Sequence, residues 1–226
     1  MPTYSSVPVP LRDLPWTRRA LFRGAAVFRE GDRAGLVYIL DAGLVKLSRD
    51  VDSHRKTIVR LVRPGEMIGA GTLSAATHER YTAESLADGG VWEAPREQFH
   101  ALCARSVDAM TWVAQQVEQC LVEVERRIQF ITFDRVETRL LKLLCELGET
   151  STMAEHQLSA GTVIIPLSQS EVAQMIGATR ETASTTLNQL ERRGLLRLSR
   201  RQIEVASVEA LRAAATGGDR ANRAHE

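Results

Sequence analysis

The segment Ser168–Arg193 constrains the fold more than any other stretch, because its local signals specify two short helices joined by a tight turn. Ser168, followed three residues later by Glu171, forms a capping box in which both side chains bind free amides at a helix start. Gly177 is the residue type that most readily adopts the left-handed conformation of a sharp turn. Thr179 can cap a second helix. The apolar residues of that helix share one face: Ala183, Leu187 and Leu190.

The opposite face of the second helix carries mostly hydrogen-bonding side chains. They are Arg180, Glu181, Ser184, Thr185, Asn188 and Gln189. In helix-turn-helix proteins the second helix docks in the DNA major groove, with its N-terminal residues at the base edges. We therefore interpret the segment as a DNA-binding motif. The alternative is an ordinary helical hairpin with a solvated face, because short motifs give false positives.

A basic hairpin, or wing, is predicted directly after the second helix. The strand-forming runs Leu195–Leu198 and Gln202–Val205 flank the polar tip Ser199-Arg200-Arg201. Between Thr179 and Arg201 the chain has six arginines and two glutamates, a local net charge of +4, whereas the whole chain carries +1. Because phosphate neutralisation supplies most non-specific DNA affinity, a local basic edge on a near-neutral protein fits DNA binding.

Length and composition set the broad class. A chain of 226 residues can form two modest domains with buried cores. Its 25% charged and 44% apolar residues are typical of a globular protein. No apolar run approaches the roughly 18–20 residues of a membrane span, and the N-terminus lacks a signal-peptide core. Cys103, Cys120 and Cys145 are odd in number and form no CxxC pair, so we expect reduced thiols and a cytoplasmic protein.

The first hundred residues have the pattern of a β-structure. Short strand-like runs separated by Gly, Pro and Asp turns are Ala25–Phe28, Leu36–Leu40, Gly43–Ser48, Thr57–Val62 and Thr82–Leu86. Many short strands spaced about 8–12 residues apart predict a sandwich or barrel. Pro95 is expected to begin a short helix. The chain up to Arg19 and beyond Leu211 is expected to be loosely ordered.

A heptad stripe follows the β-rich region. Its members, separated alternately by four and three residues, are Met110, Ala114, Val117, Leu121, Val124, Ile128 and Ile131. The stripe, with charges beside it, predicts a long helix that forms a parallel homodimer through a coiled-coil seam. The alternative is a core-facing amphipathic helix, which normally has a broader apolar stripe. A two-fold dimer would present two reading helices to DNA half-sites about one helical turn apart.

Segments from roughly residue 22 to 212 resemble the CRP/FNR family of bacterial transcription regulators. They are Phe28–Asp32, Tyr38–Leu47, Pro64–Gly69, Leu167–Ala173 and Arg180–Thr182. The resemblance implies an α+β fold with an N-terminal cyclic-nucleotide-binding-like β-roll (jelly roll), a coiled-coil dimerisation helix and a C-terminal winged helix-turn-helix. The corresponding ranges are a sensor domain at 1–105, a dimerisation helix at 106–133, a DNA-binding domain at 134–215 and a flexible tail at 216–226.

The same resemblance implies how the chain reads DNA. Family members are homodimers whose recognition helix, here 179–192, binds a palindromic operator beside a promoter, which makes RNA polymerase a further partner. Arg180 would pair with guanine and Glu181 with a cytosine amino group. Ser184 and Thr185 complete the base-reading set; many members have an arginine at Thr185, so altered specificity is expected there. Candidate phosphate contacts are Gln169, Ser170, Thr179, Thr182, Asn188, Ser199, Arg200 and Arg201.

The resemblance also implies an effector pocket. Its candidate residues are Ile68, Gly69, Ala70, Gly71, Thr72, Leu73, Arg80, Tyr81, Thr82, Val117, Leu121, Val124 and Glu125. Cyclic-AMP-binding members have a ribose-binding glutamate where this chain has Ala70, and Glu125 would lie near an anionic ligand. Cyclic AMP is therefore not the expected effector. The register leaves open whether Arg80 faces the pocket.

The sequence assigns no cofactor. No cysteine precedes Cys103, so the N-terminal cysteine cluster of iron–sulfur sensors is absent, and the Gly69–Gly71 region lacks the Cys-x-His of the haem sensor. Cys120 is the candidate for a single-thiol redox switch, although a buried cysteine is more often a small hydrophobe. An unidentified small molecule and effector-independent activity are both open.

Two rival classes of protein share part of this pattern. A cupin-like metal enzyme shares the strand pattern but needs a His-x-His with further ligands. The five histidines stand apart: His54, His78, His100, His156 and His225. We therefore expect no enzyme and no metal site. A signalling protein whose helix pair binds only other proteins is disfavoured by Arg180 and the basic wing.

Overall fold

The computed structural model describes residues 6–50, 56–69, 77–149, 157–158 and 162–223. The chain divides into two compact units, Met1–Val124 and Glu125–Glu226. We call these the N-terminal and C-terminal units. The boundary falls within one long helix. Among the described residues, no helix is long and apolar enough to cross a membrane.

The N-terminal unit contains two four-stranded antiparallel sheets, with strand orders β1-β8-β3-β6 and β2-β7-β4-β5. The strands are β1 (Thr17–Leu21), β2 (Ala26–Phe28), β3 (Leu36–Ala42), β4 (Val45–Asp50), β5 (Lys56–Val62), β6 (Met67–Ile68), β7 (Thr82–Ser85) and β8 (Gly89–Pro95). Apolar side chains from all eight strands form one buried cluster. The unit is therefore a β-sandwich, which confirms the predicted fold class.

Strand β3 shows why two layers cover the first sheet. Successive side chains of a strand point to opposite faces. Tyr38 and Leu40 lie in the cluster shared by the two sheets, whereas Val37 and Ile39 lie in a second cluster. That second cluster contains residues of helices α1 (Arg96–Arg105) and α2 (Val107–Phe133). The helices therefore cover the outer face of this sheet.

The N-terminal segment corrects one expectation. Val7, Leu11, Leu14 and Trp16 are buried in the same cluster as the helices, and a short 3₁₀ helix spans Val9–Leu11. The indole N–H of Trp16 donates to the carbonyl of Leu11 at 2.8 Å. The expectation of loose order up to Arg19 is therefore wrong for residues 6–19, because four apolar side chains anchor the segment.

The predicted strands of this unit are confirmed, and others were missed. The five predicted runs correspond to β2, β3, β4, β5 and β7, and the helix expected at Pro95 is α1. Strands β1, β6 and β8 were not predicted. Strand β8 was missed because it begins with two glycines, which are typical of turns, whereas Gly89 and Gly90 pair with Leu21 and Ala20 of β1. A Cβ at Gly89 would lie 2.0 Å from the carbonyl oxygen of Ala42, so only glycine fits this close approach.

Helix α2 has two different faces. In the N-terminal unit its inner face contains the buried Ala109 and Val113 and the half-buried Gln116, Cys120 and Glu123. Ser106 precedes the helix, and its hydroxyl accepts from the amide of Ala109 at 3.2 Å. The predicted long helix is confirmed. The alternative of a single core-facing stripe does not describe it, because the heptad stripe lies outside this inner face.

The C-terminal unit contains four further helices and one four-stranded sheet. The helices are α3 (Val136–Glu149), α4 (Gln169–Ile176), α5 (Arg180–Arg192) and α6 (Val208–Arg223). The sheet has the order β11-β12-β10-β9, with β9 (Gln157–Leu158), β10 (Thr162–Ile165), β11 (Leu196–Ser199) and β12 (Gln202–Val205). Strands β11 and β12 confirm the predicted wing, whereas β9 and β10 were missed.

Helix α6 corrects the expectation that the chain frays beyond Leu211. The helix continues to Arg223. Leu211 and Ala215 are buried, and α6 packs against α3. The Ala213-Ala214-Ala215 run supplies the strongest helix formers, which outweighs the weak helix propensity of the two glycines that follow. Of the flexible tail expected at 216–226, residues 224–226 lie outside the described residues.

Candidate nucleic-acid interface

The helix-turn-helix is specified by its caps. The hydroxyl of Ser168 accepts from the amide of Glu171 at 3.3 Å, and the Glu171 carboxylate accepts from the amide of Ser168 at 2.8 Å. Gly177 ends α4 with φ +63°, in the left-handed region. The hydroxyl of Thr179 then accepts from the amide of Thr182 at 3.2 Å. The predicted capping box, turn and second cap are all confirmed.

The recognition helix α5 is fixed on its inner side. Ala183, Leu187 and Leu190 are fully buried, as predicted. Burying each of the two leucines contributes about 1.5–3 kcal/mol. Thr186, also buried, donates from its hydroxyl to the carbonyl of Thr182 at 2.9 Å. With one face committed to the core, the other face of α5 must point outward.

The four predicted base-reading residues lie at the start of α5. Arg180, Glu181 and Thr185 are exposed, and Ser184 is half-buried. The backbone N–H of Glu181 and the hydroxyl of Thr179 hold the pKa of the Glu181 carboxyl below its ordinary value. Glu181 is therefore an ionised acceptor at neutral pH. The face therefore places a cation, Arg180, beside an anion, Glu181. Arg180 can donate to a guanine, and Glu181 can accept from a cytosine amino group.

The predicted phosphate-contacting residues surround this face. Ser170, Thr179, Thr182, Asn188, Ser199, Arg200 and Arg201 are exposed, and Gln169 is half-buried. The hydroxyls of Thr179 and Thr182 lie 3.0 Å apart and bind each other. Each of these hydroxyls therefore already has one hydrogen-bond partner within the chain. Arg200 and Arg201 form the wing tip between the paired residues Ser199 and Gln202.

Two side chains missed at the sequence level position this surface. Glu191 of α5 accepts from the amide of Leu198 in β11 at 2.7 Å, which joins the wing to the recognition helix. Arg193 binds Glu137 of α3 at 2.5 Å, so one of the six local arginines has an acidic partner within the chain. Neither contact has a sequence signal, because Glu191 resembles any solvated acid and Glu137 lies 56 positions away.

The heptad stripe forms an exposed apolar surface on α2. We call it the seam; all seven residues are exposed in the single chain. The exposed fraction is 57% for Leu121 and 60% for Ile128. Apolar patches of this kind on an otherwise ordinary surface mark interaction sites. A second copy of the chain can cover the stripe through knobs-into-holes packing.

The structure brings together only part of the predicted effector pocket. Ala70, Gly71, Thr72 and Leu73 lie outside the described residues. Ile68 is fully buried in the sandwich core. Arg80 is exposed and Tyr81 is half-buried, while the hydroxyl of Thr82 accepts from the amide of Glu30 at 3.1 Å. In the single chain Val117, Leu121, Val124 and Glu125 are exposed, so these α2 residues do not belong to the inner face.

An acidic side chain that the sequence did not single out lies beside Gly69. A Cβ at Gly69 would be 3.7 Å from a carboxylate oxygen of Glu79. Burial raises the pKa of Glu79 above its ordinary value, although nearby Arg96 opposes the shift. A phosphate next to this carboxyl would meet like charge. This repulsion holds for the ionised carboxylate; the raised pKa of Glu79 and the charge of Arg96 both weaken it.

A buried polar network takes the place of apolar packing between α2 and the β5–β6 turn. Arg60 donates to Glu66 at 3.0 Å and to Glu123 at 2.8 Å, and Gln119 donates to Glu66 at 3.1 Å. The amide of Met67 donates to Gln116 at 3.1 Å. Gln116, Gln119 and Glu123 have helical spacing, so one face of α2 supplies all three. We call this set, with Arg60 and Glu66, the inner-face network.

The three cysteines are free thiols in the structure. Cys103 and Cys145 are buried, and burial raises the pKa of each thiol. Cys120, the candidate redox residue, is half-buried on the inner face of α2. Among the described residues, no group of three or more His, Cys, Asp or Glu could hold a metal ion.

A β-sandwich joined by a long helix to a winged helix-turn-helix defines a class of DNA-binding regulators. Comparison with family models gives the same division: residues 18–106 match the cyclic nucleotide-binding domain, and residues 138–214 match the Crp-like helix-turn-helix domain. The chain belongs to the CRP/FNR family of transcription regulators, whose members bind DNA and function as dimers. It is a regulator and not an enzyme, and the comparisons give the cupin-like alternative no support.

Individual relatives extend over most of the chain. Transcriptional regulator SdrP of Thermus thermophilus is 30% identical over 182 residues, which cover 80% of this chain and 83% of the relative. A CRP-like cAMP-activated global transcriptional regulator of Mycobacterium tuberculosis is 24% identical over 189 residues, 84% of each chain. The crystal structure of a CRP-family regulator from Thermus thermophilus superposes with a TM-score of 0.74 at 24% identity. It covers 88% of this chain and 96% of that structure, and it supports the fold alone.

Proposed function

We propose that this chain is a homodimeric regulator that binds a palindromic operator through α5 and acts with RNA polymerase at promoters, in the cytoplasm. The observation that carries the proposal is the start of α5, where Arg180 and Glu181 are exposed on a helix whose inner face is fully buried. The proposed domains are residues 1–105 for sensing, 106–133 for dimerisation and 134–215 for DNA binding.

Base reading is assigned to Arg180, Glu181, Ser184 and Thr185. Arg180 donates two hydrogen bonds to guanine, and Glu181 accepts from a cytosine amino group. The ordered, ionised state of Glu181 supports its role, because its carboxylate is already an acceptor before DNA arrives. Thr185 offers one hydroxyl and one methyl group, so it discriminates less than a bidentate side chain would. Specificity at that base step is therefore looser.

Phosphate binding is assigned to the exposed polar rim and the wing tip. Its members are Gln169, Ser170, Thr179, Thr182, Asn188, Ser199, Arg200 and Arg201. Contacts of this kind position a protein on DNA without reading its sequence. The hydrogen bond between Glu191 and the Leu198 amide supports the role of the wing, because it holds the basic tip beside α5.

Dimerisation is assigned to the seam: Met110, Ala114, Val117, Leu121, Val124, Ile128 and Ile131. Its continuous exposure in the single chain supports the assignment. A parallel pair would relate two recognition helices by a two-fold axis, as a palindromic operator requires.

The signal is proposed to be something other than cyclic AMP. The carboxyl of Glu79 beside Gly69 and the substitution of Ala70 for a ribose-binding glutamate both support this. Effector-independent activity is the second candidate. The inner-face network favours it, because Arg60 joins Glu66 of the turn to Glu123 of α2 through groups of the chain itself.

The proposal is tested by selecting the preferred DNA of the wild-type dimer and measuring binding by fluorescence anisotropy. Arg180→Ala should cost about 1–3 kcal/mol and relax the choice at one base pair per half-site. Arg200→Ala is the matched control: it should weaken binding to all sequences equally and lower the salt dependence by about one counterion. Undiminished, equally selective binding by Arg180→Ala would contradict the assigned docking.

A further inference from the structure

Three helix ends meet at one arginine in the C-terminal unit. The guanidinium of Arg139, on α3, donates to the carbonyls of Ile131 at 3.0 Å, Asp134 at 2.9 Å and Ile176 at 3.1 Å. Ile131 lies in the last turn of α2, and Ile176 is the last residue of α4. The last four carbonyls of a helix lack intrahelical partners, so Arg139 satisfies groups that would otherwise need water.

A second arginine makes the same kind of contact one turn away. Arg127 of α2 donates to the carbonyl of Gln174, in the last turn of α4, at 3.0 Å. Burial lowers the pKa of Arg127, but a guanidinium remains charged under all relevant conditions. Two cations therefore lie against the C-terminal end of α4, where the helix dipole favours positive charge. We call Arg127 and Arg139 the arginine clamp.

The seam and the turn of the helix-turn-helix are in direct contact at the clamp. A Cβ at Gly177 would lie 3.5 Å from Cδ1 of Ile131, so the turn between α4 and α5 packs against that side chain. Ile131 is also the last residue of the seam and is 43% exposed. The backbone of the final seam residue and the end of α4 are thus joined by hydrogen bonds through Arg139, and the turn that leads into the recognition helix packs beside them.

We propose that Arg139, assisted by Arg127, is a positioning residue that sets which operator spacing the dimer accepts. The clamp fixes α4, and hence α5, to the last turn of the seam, so the separation of the two recognition helices follows from the coiled coil. Its three donors point in one plane to three carbonyls, a geometry that the single ammonium of lysine cannot reproduce. The inference rests on the proposed function, because it requires two reading helices joined by the seam.

The test compares operators that differ only in the distance between half-sites. Wild-type dimer should bind best at one spacing, near one helical turn of about 10–10.5 base pairs. Binding both half-sites at once raises the affinity by ~10²–10⁴-fold over binding one. In Arg139→Gln the affinity at the preferred spacing should fall at least about tenfold, because part of that gain is lost. Affinity for DNA with a single half-site should be unchanged, and the preference for one spacing should flatten.

Matched variants separate positioning from general damage. Arg135→Gln alters an exposed arginine four residues before Arg139 and should keep the wild-type spacing profile. Arg139→Lys and Arg127→Gln should give intermediate profiles, and they carry the test if circular dichroism shows that Arg139→Gln does not fold. An Arg139→Gln dimer that keeps the wild-type spacing profile, or that loses single-site and double-site binding in equal proportion, overturns the clamp. A wild-type protein without any preferred spacing overturns the proposed palindromic dimer as well.

Discussion

The two faces of α2 reverse the usual distribution of polar and apolar residues. The inner face buries an ionic network, in which the side chains of Arg60 and Glu66 are only 8% and 9% exposed. The outer face leaves Leu121 57% exposed to solvent. Charged groups are normally excluded from the interior unless paired, and large apolar patches are normally covered. Each face therefore indicates a specific partner.

The partners differ in kind. The inner face finds its partner in the same chain, where Arg60 and Gln119 satisfy the Glu66 carboxylate. Hydrogen bonds of this type fix one register of the helix on the turn, because a shifted register would leave a buried charge unpaired. The outer face carries an exposed apolar repeat, and a second copy of the chain is the partner proposed for it. The inner face thus specifies the position of α2, and the outer face is proposed to specify assembly.

The largest expected effect comes from breaking the inner face. Arg60→Met removes the cation nearest to both Glu66 and Glu123 and leaves the longer contacts of Arg63, at 3.9 Å and 3.4 Å, as their remaining ion pairs; breaking a buried ion pair costs up to about 3–5 kcal/mol. All three tryptophans (Trp16, Trp92 and Trp112) lie in the N-terminal unit, so their fluorescence during urea denaturation of the full chain reports on this unit.

The matched control for Arg60 is an exposed arginine of the same unit. Arg80→Met should change the free energy of unfolding by no more than about 0.5 kcal/mol. If Arg60→Met were as mild as this control, the inner-face network would contribute packing alone and would not specify the position of α2.

The next effect comes from breaking the outer face. Leu121→Asp would place two carboxylates opposite each other in the proposed seam, and burying them unpaired should weaken the dimer by at least about 3 kcal/mol, or roughly 100-fold. Sedimentation measurements at several concentrations give the dissociation constant. Val122→Asp is the control, since Val122 is also exposed at 45% but lies outside the seam. Equal dissociation by both variants would place the interface elsewhere.

A smaller effect is expected at the residue that begins both faces. The Ser106 hydroxyl caps α2 by accepting from the Ala109 amide, and losing such a cap costs about 1 kcal/mol. Ser106→Ala should therefore lower the stability of the N-terminal unit by that amount, measured by tryptophan fluorescence. Thr111→Ala, an exposed position within the same helix, should not destabilise it. A fully stable Ser106→Ala protein would show that packing alone determines where α2 begins.

Sequence reasoning succeeded where the determinants are local. The capping box at Ser168, the left-handed Gly177 and the heptad stripe each involve residues within a few positions, so one-dimensional spacing carries the information. The contacts that join elements were missed. Arg60 and Glu123 are 63 positions apart, and Arg139 and Ile176 are 37 apart. Such pairs depend on strand register and helix packing, and a lone arginine in the sequence resembles a solvated surface residue.

The N-terminal strands show the same limit. Strand β1 contains Thr17-Arg18-Arg19, which has no apolar alternation, yet it pairs with β8 because Leu21 and the neighbouring core supply the burial.

Helix α2 shows both outcomes on one element. The heptad spacing was visible in the sequence, but the inner stripe on the same helix was not. Its residues Gln116, Gln119 and Glu123 are polar, and only their contacts with the Met67 amide, Glu66 and Arg60 reveal the stripe.

The smallest expected effect is the pH dependence of stability that Glu66 causes. Its direction shows whether burial or ion pairing dominates at this carboxyl. Burial raises the pKa of its carboxyl above the ordinary value of 4.5; Arg60 opposes this, but it shares its charge with Glu123, which repels Glu66. The folded protein therefore binds a proton at Glu66 more readily than the unfolded chain does. The resulting stabilisation is fully present below the ordinary pKa and is lost as the pH rises through the folded pKa.

Glu66→Gln removes this titration, so the stability of the wild type relative to the variant should decrease as the pH rises from about 4 to 7. Urea denaturation at several pH values measures the difference, with Glu118→Gln, an exposed position on α2, as the reference for general pH effects. If the stability of the wild type relative to Glu66→Gln instead increased with pH, attraction by Arg60 would outweigh the effect of burial. The inner face would then be held chiefly by charge attraction. If that relative stability decreases with pH, the ionised Glu66 carboxylate costs stability at neutral pH. The contribution of the network would then be to fix the register of α2 on the turn.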